Sequence, residues 1–324
     1  MNGDIVQVEN AGALAQSTAQ DALIQIVLDG LTSEHSKRAY GRALVDFLAW
    51  HEQQGRPALT KALIQRYKTG LEGDGAGVAS INQRLSAIRK LAAEASDNGL
   101  IPEQVANGIK NVSGVRQEGQ RAGNWLTKDQ AQALLNAPDV TTLKGLRDRA
   151  IIALLLGTGL RRTEAARLTF EHIQQREGRW VIVDLVGKRN KTRSVPMPMW
   201  AKAAIDAYAV EAAREQGELV GMHPAAPLFV SINKGDHISG NSMTAQAIRD
   251  MVIGYARALG LGEVAPHDLR RTFAKLARGG GADLEQIQLS LGHASIQTTQ
   301  RYLGTRQDFQ DAPADRLGLR LRGG

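Results

Sequence analysis

The sequence predicts a mainly α-helical protein with one small antiparallel β-sheet, divided into two domains. Apolar residues recur at helical spacing through most of the 324 residues. The β-branched run Trp180–Leu185 predicts a strand, and Arg193–Met197 predicts its antiparallel return after the turn Gly187–Asn190. The Gly-containing polar stretch Ser113–Asn124 is typical of a linker and separates a helical N-terminal part from the rest.

The N-terminal part is predicted to be entirely helical. Ser33–Trp50, Thr60–Lys68 and Ser80–Ser96 each carry apolar residues on one face and basic residues elsewhere. We assign three segments here, namely a loose arm over residues 1–20, a helical domain over 21–112 and a linker over 113–124.

The second domain is predicted to span residues 125–303, followed by a tail over 304–324. Thr127 and Gln130 form a capping-box pattern ahead of an apolar segment. Leu146–Leu156 is predicted to be a buried helix that ends at the glycines that follow it. Further predicted helices are Thr163–Leu168, Trp200–Gln216, Ser242–Leu259, His267–Ala277 and Asp283–Leu291.

Composition and charge narrow the classes of function. Hydrophobic residues make up 43% and charged residues 23%, which is typical of a folded globular chain. The absence of cysteine excludes disulfide scaffolds, cysteine-ligated metals and cysteine nucleophiles. The net charge of +7 favours a polyanionic partner, and six basic residues fall between Arg176 and Arg193 against two acidic ones.

Membrane insertion and secretion are not expected. No apolar run reaches the roughly 18 to 20 residues that would span a bilayer. The first thirty residues contain four acidic and no basic residues, so they lack the positive start of a signal peptide. We therefore expect a cytoplasmic protein.

Three clusters carry candidate chemistry, and each is weak alone. The first follows the buried helix, where Glu164 lies three residues after Arg161 and is placed to hold its guanidinium. The second sets His267 and Arg270 at a helix start, where they can point into one cleft. In the third, Ser295 can cap a short helix that ends at Tyr302.

Each cluster also has an ordinary structural interpretation. Arg161 can be a surface residue after a helix end, and His267 can be structural. Tyr302 can be a buried aromatic residue with a satisfied hydroxyl.

Taken in chain order, the clusters converge on phosphoryl transfer. Two guanidiniums can bind the non-bridging oxygens of a phosphodiester, imidazoles and a lysine can move protons, and a tyrosine can attack phosphorus. We find neither a GxxxxGK[ST] loop nor a carboxylate cluster for metal-assisted transfer, so no cofactor and no metal are expected.

These motifs together resemble the tyrosine recombinases of the phage integrase family, which includes the Xer-type enzymes. The resemblance covers Ser33 to Tyr302, and its most specific parts are HDLRRTFA and LGHASIQTTQRY, supported by TGLRRTEAARL. The nine-residue step from His293 to Tyr302 agrees with the family pattern, whereas Thr163 stands where many members carry serine.

The resemblance implies a role for each matching residue. Arg161 and Arg270 would clamp the scissile phosphate, and Glu164 would support the first of them. Lys188 would be the general acid, although Lys191 on the same hairpin is an alternative. The remaining implied members of the site are His267, His293 and the nucleophile Tyr302.

The family also implies the architecture and the partners. A helical core-binding domain and an α+β catalytic domain would enclose duplex DNA. Four protomers, identical or paired with a related recombinase, would exchange strands through 3′-phosphotyrosyl intermediates on nucleoid DNA. Our candidate DNA contacts are Arg38, Arg42, Arg84 and Lys90 in the first domain, and Arg176, Arg189 and Arg193 on the phosphate backbone.

Two other functions stay open at this point. A type IB topoisomerase shares this chemistry, but the helical N-terminal domain and the LGHASIQTT string favour a recombinase. A non-catalytic DNA-binding protein on the same scaffold is disfavoured because all six catalytic positions are filled.

Overall fold

The computed structural model describes residues 21–116, 124–186, 192–216 and 223–303. The chain forms two compact units, Met1–Gln120 and Arg121–Gly324. The predicted arm over 1–20, the tail over 304–324 and the turn Gly187–Asn190 lie outside the described residues. None of the described helices is both long enough and apolar enough to cross a membrane.

The first unit is entirely helical in its described part. Its helices are α1 (21–29), α2 (Glu34–Gln53), α3 (Lys61–Gly73), α4 (Val78–Asp97) and α5 (Glu103–Lys110). Ser33 and Thr60 cap α2 and α3, with each side-chain oxygen accepting from a backbone amide three residues on. The core of this unit includes Leu44, Phe47, Ile64, Ile81, Leu85 and Ile88.

The three helices predicted in this unit are confirmed, and α1 and α5 were not predicted. The buried residues of α5, Ala106 and Ile109, are too few to show a period in the sequence. The helix forms because those residues pack into the same core as α4.

The second unit surrounds a central buried helix with further helices and two small sheets. Its helices are α6 (Lys128–Asn136), α7 (Leu143–Thr158), α8 (Arg162–Ala165), α9 (Met199–Gln216), α10 (Ala245–Ala258), α11 (Pro266–Gly279), α12 (Leu284–Leu291) and α13 (Ile296–Leu303). Both hydrogen bonds of the predicted capping box between Thr127 and Gln130 are present at the start of α6.

The described residues form five β-strands, three more than the sequence predicts. β1 (Ile173–Arg176), β2 (Arg179–Val186) and β3 (Thr192–Pro196) form an antiparallel sheet, in which Ile182 pairs with Ile173 and with Val195. A second sheet joins β4 (Val230–Ile232) to β5 (Ile238–Ser242). The mainly α fold with small antiparallel sheets is thus confirmed. Strands β1, β4 and β5 were missed because all three are short, and β1 and β5 are also largely polar.

Helix α7 places the first candidate cluster. Ile151, Ile152, Leu154 and Leu155 are fully buried in the core. Gly159 ends the helix with φ +64, and a Cβ on it would lie 2.5 Å from Cδ1 of Phe273. Only glycine satisfies both the left-handed backbone and this close approach, so the chain turns sharply just before Arg161.

Candidate active site

Arg161 begins the short helix α8 and is held by Glu164. Its backbone amide donates to Oε2 of Glu164 at 2.8 Å, and its Nη1 donates to Oε1 at 2.8 Å. The i,i+3 contact that the spacing predicts is therefore present. The Arg161 side chain is still 34% exposed, so its guanidinium remains open to a ligand.

The same carboxylate binds a second arginine. Arg193 on β3 donates from Nη1 to Oε1 and from Nη2 to Oε2 of Glu164, both at 2.9 Å. Its Nε donates to the carbonyl of Ser290 at 3.1 Å. The sequence predicts that Arg193 contacts the DNA backbone. In the structure its side chain is only 12% exposed and is hydrogen-bonded to Glu164 and to the carbonyl of Ser290.

Glu164 is ionised despite its burial. Desolvation on its own would raise the pKa of this carboxyl. The hydrogen bonds from Arg193 and from the Arg161 amide, together with the charges of both guanidiniums, outweigh it and lower the pKa below its ordinary value.

Arg270 links the first cluster to the third. Asp268 caps the start of α11 by accepting from the backbone amide of Ala265, and Arg270 follows on the first turn, 2% exposed. Its Nη1 donates to the carbonyl of Gly159 at 2.7 Å and its Nη2 to the carbonyl of Leu291. Those carbonyls lie two residues before Arg161 and two residues before His293, so one buried guanidinium joins the segments carrying both.

His267 and His293 share this positive environment. His267 lies at the protein surface. The pKa of its imidazole is nevertheless lowered, by desolvation from the surrounding protein and by the charges of Arg271, Arg270 and Arg161. Burial, followed by the charges of Arg270 and Arg161, lowers the pKa of His293 to about 4. At neutral pH the site therefore combines charged guanidiniums with neutral imidazoles, one of which is able to accept a proton.

His293 is oriented by a buried threonine. Its Nδ1 shares a hydrogen bond of 2.9 Å with Oγ1 of Thr299 on α13, and Thr299 is fully buried. The sequence reasoning missed Thr299, although its position one helical turn after Ser295 is a usable signal. Ser295 itself caps α13, since its Oγ accepts from the amide of Gln297 at 3.2 Å.

Residue 302 lies in the last turn of α13. Leu303 beside it is buried with Ala274, Ile287 and Leu291, and this contact holds the end of α13 against α11 and α12. Three residues that the sequence analysis places in the site or at the DNA lie outside the described residues. They are Lys188, its alternative Lys191, and Arg189.

The other candidate DNA contacts differ in their surroundings. Arg38, Arg42 and Arg176 are exposed. Arg84 donates to Asp46 at 2.8 Å and to the hydroxyl of Tyr67 at 3.3 Å, whereas Lys90 donates to Glu94 at 2.6 Å.

Comparisons with known proteins agree on one family. The model of the phage integrase family matches residues 124–308, and the model of the phage integrase N-terminal SAM-like domain matches 23–99. The chain is 31% identical over 299 residues to the tyrosine recombinase XerD of Pseudomonas aeruginosa, covering 88% of this chain and 93% of the relative. It is 34% identical over 277 residues to the tyrosine recombinase XerC of Myxococcus xanthus, covering 84% and 87%.

Two solved structures share the fold. The XerH site-specific recombinase bound to a palindromic difH substrate superimposes with a TM-score of 0.64 at 21% identity, over 83% of this chain and 76% of that one. A lambda integrase dimer bound to a COC′ core site gives a TM-score of 0.65 at 17% identity, over 89% and 96%.

Proposed function

The chain belongs to the phage integrase family of tyrosine recombinases, and from this we propose that it is a site-specific recombinase that cuts and rejoins duplex DNA. The observation that carries the proposal is the bonding of Arg270 to the segments that hold Arg161 and His293. This bonding connects α11, which carries Arg270 and His267, to the segments after α7 and α12, which carry Arg161 and His293.

Tyr302 is the proposed nucleophile. Its phenolic oxygen attacks the scissile phosphorus, a tyrosyl O–P bond forms, and the bond from phosphorus to the 5′ oxygen breaks. An unperturbed tyrosine has a pKa of about 10, so the phenol needs a proton acceptor at neutral pH. His267 takes that proton, consistent with a lowered pKa that keeps its imidazole neutral.

The arginines stabilise the charge that develops in the transition state. Arg161 and Arg270 donate to the equatorial oxygens of the phosphorus, and His293 adds a further donor. Removing one preorganised donor of this kind typically raises the barrier by roughly 3 to 4 kcal/mol. Lys188 protonates the departing 5′ oxygen, with Lys191 as the alternative.

Rejoining is the same reaction in reverse. The phosphotyrosyl bond conserves the energy of the phosphodiester, so a 5′-hydroxyl of another strand can attack it without ATP. Four protomers on two duplexes would exchange strands in this way. Arg38, Arg42, Arg176 and Arg189 would contact DNA directly, whereas Arg84 and Lys90 would first have to leave their carboxylate partners.

A suicide substrate tests the proposal. Nicked duplexes tiling the genomic neighbourhood of the gene lose a short fragment after cleavage, which traps the covalent intermediate. Wild-type protein and Tyr302→Phe are incubated with these duplexes in EDTA and run on a denaturing gel.

The expected result is a covalent protein–DNA band with the wild-type protein and none with Tyr302→Phe. A band that persists in Tyr302→Phe would reject this nucleophile. A protein that binds every duplex but cleaves none would indicate a DNA-binding role alone. Supercoil relaxation without strand exchange would indicate the topoisomerase.

A further inference from the structure

The Glu164 carboxylate receives four hydrogen bonds from two arginines. Oε1 accepts from Nη1 of Arg161 and from Nη1 of Arg193, while Oε2 accepts from the Arg161 amide and from Nη2 of Arg193. A carboxylate offers about four lone-pair sites, so both oxygens are saturated. The contact with Arg193 is the planar, two-point type that a lysine cannot reproduce.

The other edge of the Arg193 guanidinium supports the turn before His293. Nε of Arg193 donates to the carbonyl of Ser290 near the end of α12. Gly292 then adopts φ +62, and a Cβ on it would lie 2.9 Å from Cδ of Arg193. The turn therefore closes directly on the Arg193 side chain.

We propose that Arg193 is a positioning residue of the active site, which holds Glu164 against Arg161 and supports the turn that carries His293. This inference rests on the proposed recombinase function. It replaces the expectation that Arg193 contacts the DNA backbone.

The bonds of Arg193 to a buried carboxylate favour positioning over DNA contact. A phosphate bound by Arg193 would compete with the two bonds to Glu164. Glu164 is only 7% exposed, and releasing it would leave a buried carboxylate with half of its partners. Removing one partner of a buried pair is costly for that reason.

The variant Arg193→Gln distinguishes a positioning role from a contact with the DNA backbone. Single-turnover cleavage of the nicked duplex is measured at saturating protein, and the affinity for a non-specific duplex is measured by anisotropy across a salt series. We expect cleavage to slow by about 10- to 100-fold, by analogy with the loss of a hydrogen-bond partner that orients a metal ligand. The salt dependence of binding stays as in the wild type.

Arg214→Gln is the matched control, because Arg214 is a surface arginine with a side chain that is 72% exposed, and we expect it to change neither cleavage nor binding. Loss of a phosphate contact lowers the salt slope by about one and leaves cleavage at saturation unchanged. Arg193→Gln behaving in this way would overturn the inference.

Arg193→Lys keeps the charge and serves where the glutamine variant does not fold. We expect it to bind DNA like the wild type and to cleave more slowly, because a single ammonium cannot make both bonds to Glu164. Wild-type cleavage by Arg193→Lys would overturn the inference.

A double variant tests whether Arg193 acts through Glu164. Glu164→Gln combined with Arg193→Gln is expected to cleave no more than about two- to three-fold slower than Glu164→Gln alone, since residues in one network are not additive. Fully multiplicative losses would overturn the inference. A wild-type protein that forms no covalent product with any duplex would instead reject the proposed function, and this inference with it.

Discussion

Two arginine–carboxylate clusters lie at opposite ends of helix α7, and they differ in what they leave exposed. At the start of the helix, Asp148 accepts from Nε and Nη2 of Arg147 at 3.0 and 2.7 Å, from Lys144 at 2.8 Å and from the hydroxyl of Tyr255 at 3.1 Å. Asp148 is fully buried, and Arg147 also donates to the carbonyl of Val230. Beyond the other end, Glu164 is as well bonded, but Arg161 keeps a third of its side chain exposed.

The comparison separates a structural network from the one that we propose to act in cleavage. Around Asp148, burial and the nearby carboxylate raise the pKa of Tyr255, so its phenol stays protonated and donates within the protein. Around Glu164, the same type of ion pair orients an arginine whose remaining surface faces outward. Both clusters contain an arginine–carboxylate pair, so the pair alone does not identify the candidate active site. The exposed guanidinium of Arg161 does.

The largest expected effect falls on the structural cluster. Asp148→Ala leaves the buried guanidinium of Arg147 without its main partner and should lower the free energy of unfolding by about 3 to 5 kcal/mol. Asp206→Ala is the control, since Asp206 is 55% exposed beside Lys202 and such surface pairs contribute about 0 to 1 kcal/mol. Urea unfolding measures both, and equal losses would show that the Asp148 cluster stabilises the fold no more than a surface pair does.

The next largest effect is expected on the rate of cleavage, with little change in the free energy of unfolding. Arg161→Ala is expected to slow single-turnover cleavage by about 100- to 1000-fold, because it removes a preorganised donor to the phosphate. Its free energy of unfolding should change by less than about 1 kcal/mol, since Glu164 keeps Arg193 as a partner. Arg162→Ala at the neighbouring position should cleave close to the wild-type rate. A large loss of stability in Arg161→Ala would mean that its role is structural.

The sequence predicts the parts of this comparison that depend on local spacing. The apolar period and the glycine stop locate α7, and the three-residue step from Arg161 to Glu164 predicts their contact. Thr127 and Ser295 cap their helices as the sequence predicts, because a cap needs only neighbouring residues. HDLRRTFA and LGHASIQTTQRY further identify the family.

The parts set by tertiary packing escaped prediction. Arg193 is 29 residues from Glu164, and nothing in the spacing pairs it with that carboxylate in preference to DNA. Arg147 and Asp148 occur in a run of charges that resembles a solvated helix face, yet both are buried. Strand β1 is too polar to stand out, and it forms because β2 supplies its partners.

A smaller effect should separate backbone strain from the contact with Arg193. Gly292 and Gly260 both adopt left-handed conformations, with φ +62 and +70, but a Cβ on Gly260 would meet nothing within 4 Å. Alanine at either position should lower the free energy of unfolding by about 1 to 2 kcal/mol. Gly292→Ala alone should also slow cleavage, because it displaces the Arg193 side chain. Equal cleavage by the two variants would argue against a supporting role for this turn.

The smallest expected effect is the response to mild acid. Burial and the neighbouring guanidiniums lower the pKa of His267 from its ordinary value and that of His293 to about 4, so both imidazoles are mainly neutral at pH 7 and above. We therefore expect the cleavage rate to depend little on histidine protonation from pH 7 to 8. It should decline as the solution is made more acidic, when His267 gains a proton and can no longer accept one from Tyr302.

The lowered pKa of His293 also determines how the stability of the folded protein changes with pH. Unfolded histidine binds a proton near pH 6.5, whereas folded His293 does so only near pH 4, so the unfolded state holds more protons between these values and stability falls as the pH is lowered. His293→Gln lacks this group, and its free energy of unfolding should decline less steeply than that of the wild type over the same interval. Parallel declines would show that burial and the charges of Arg270 and Arg161 do not lower the pKa of His293 in the folded protein.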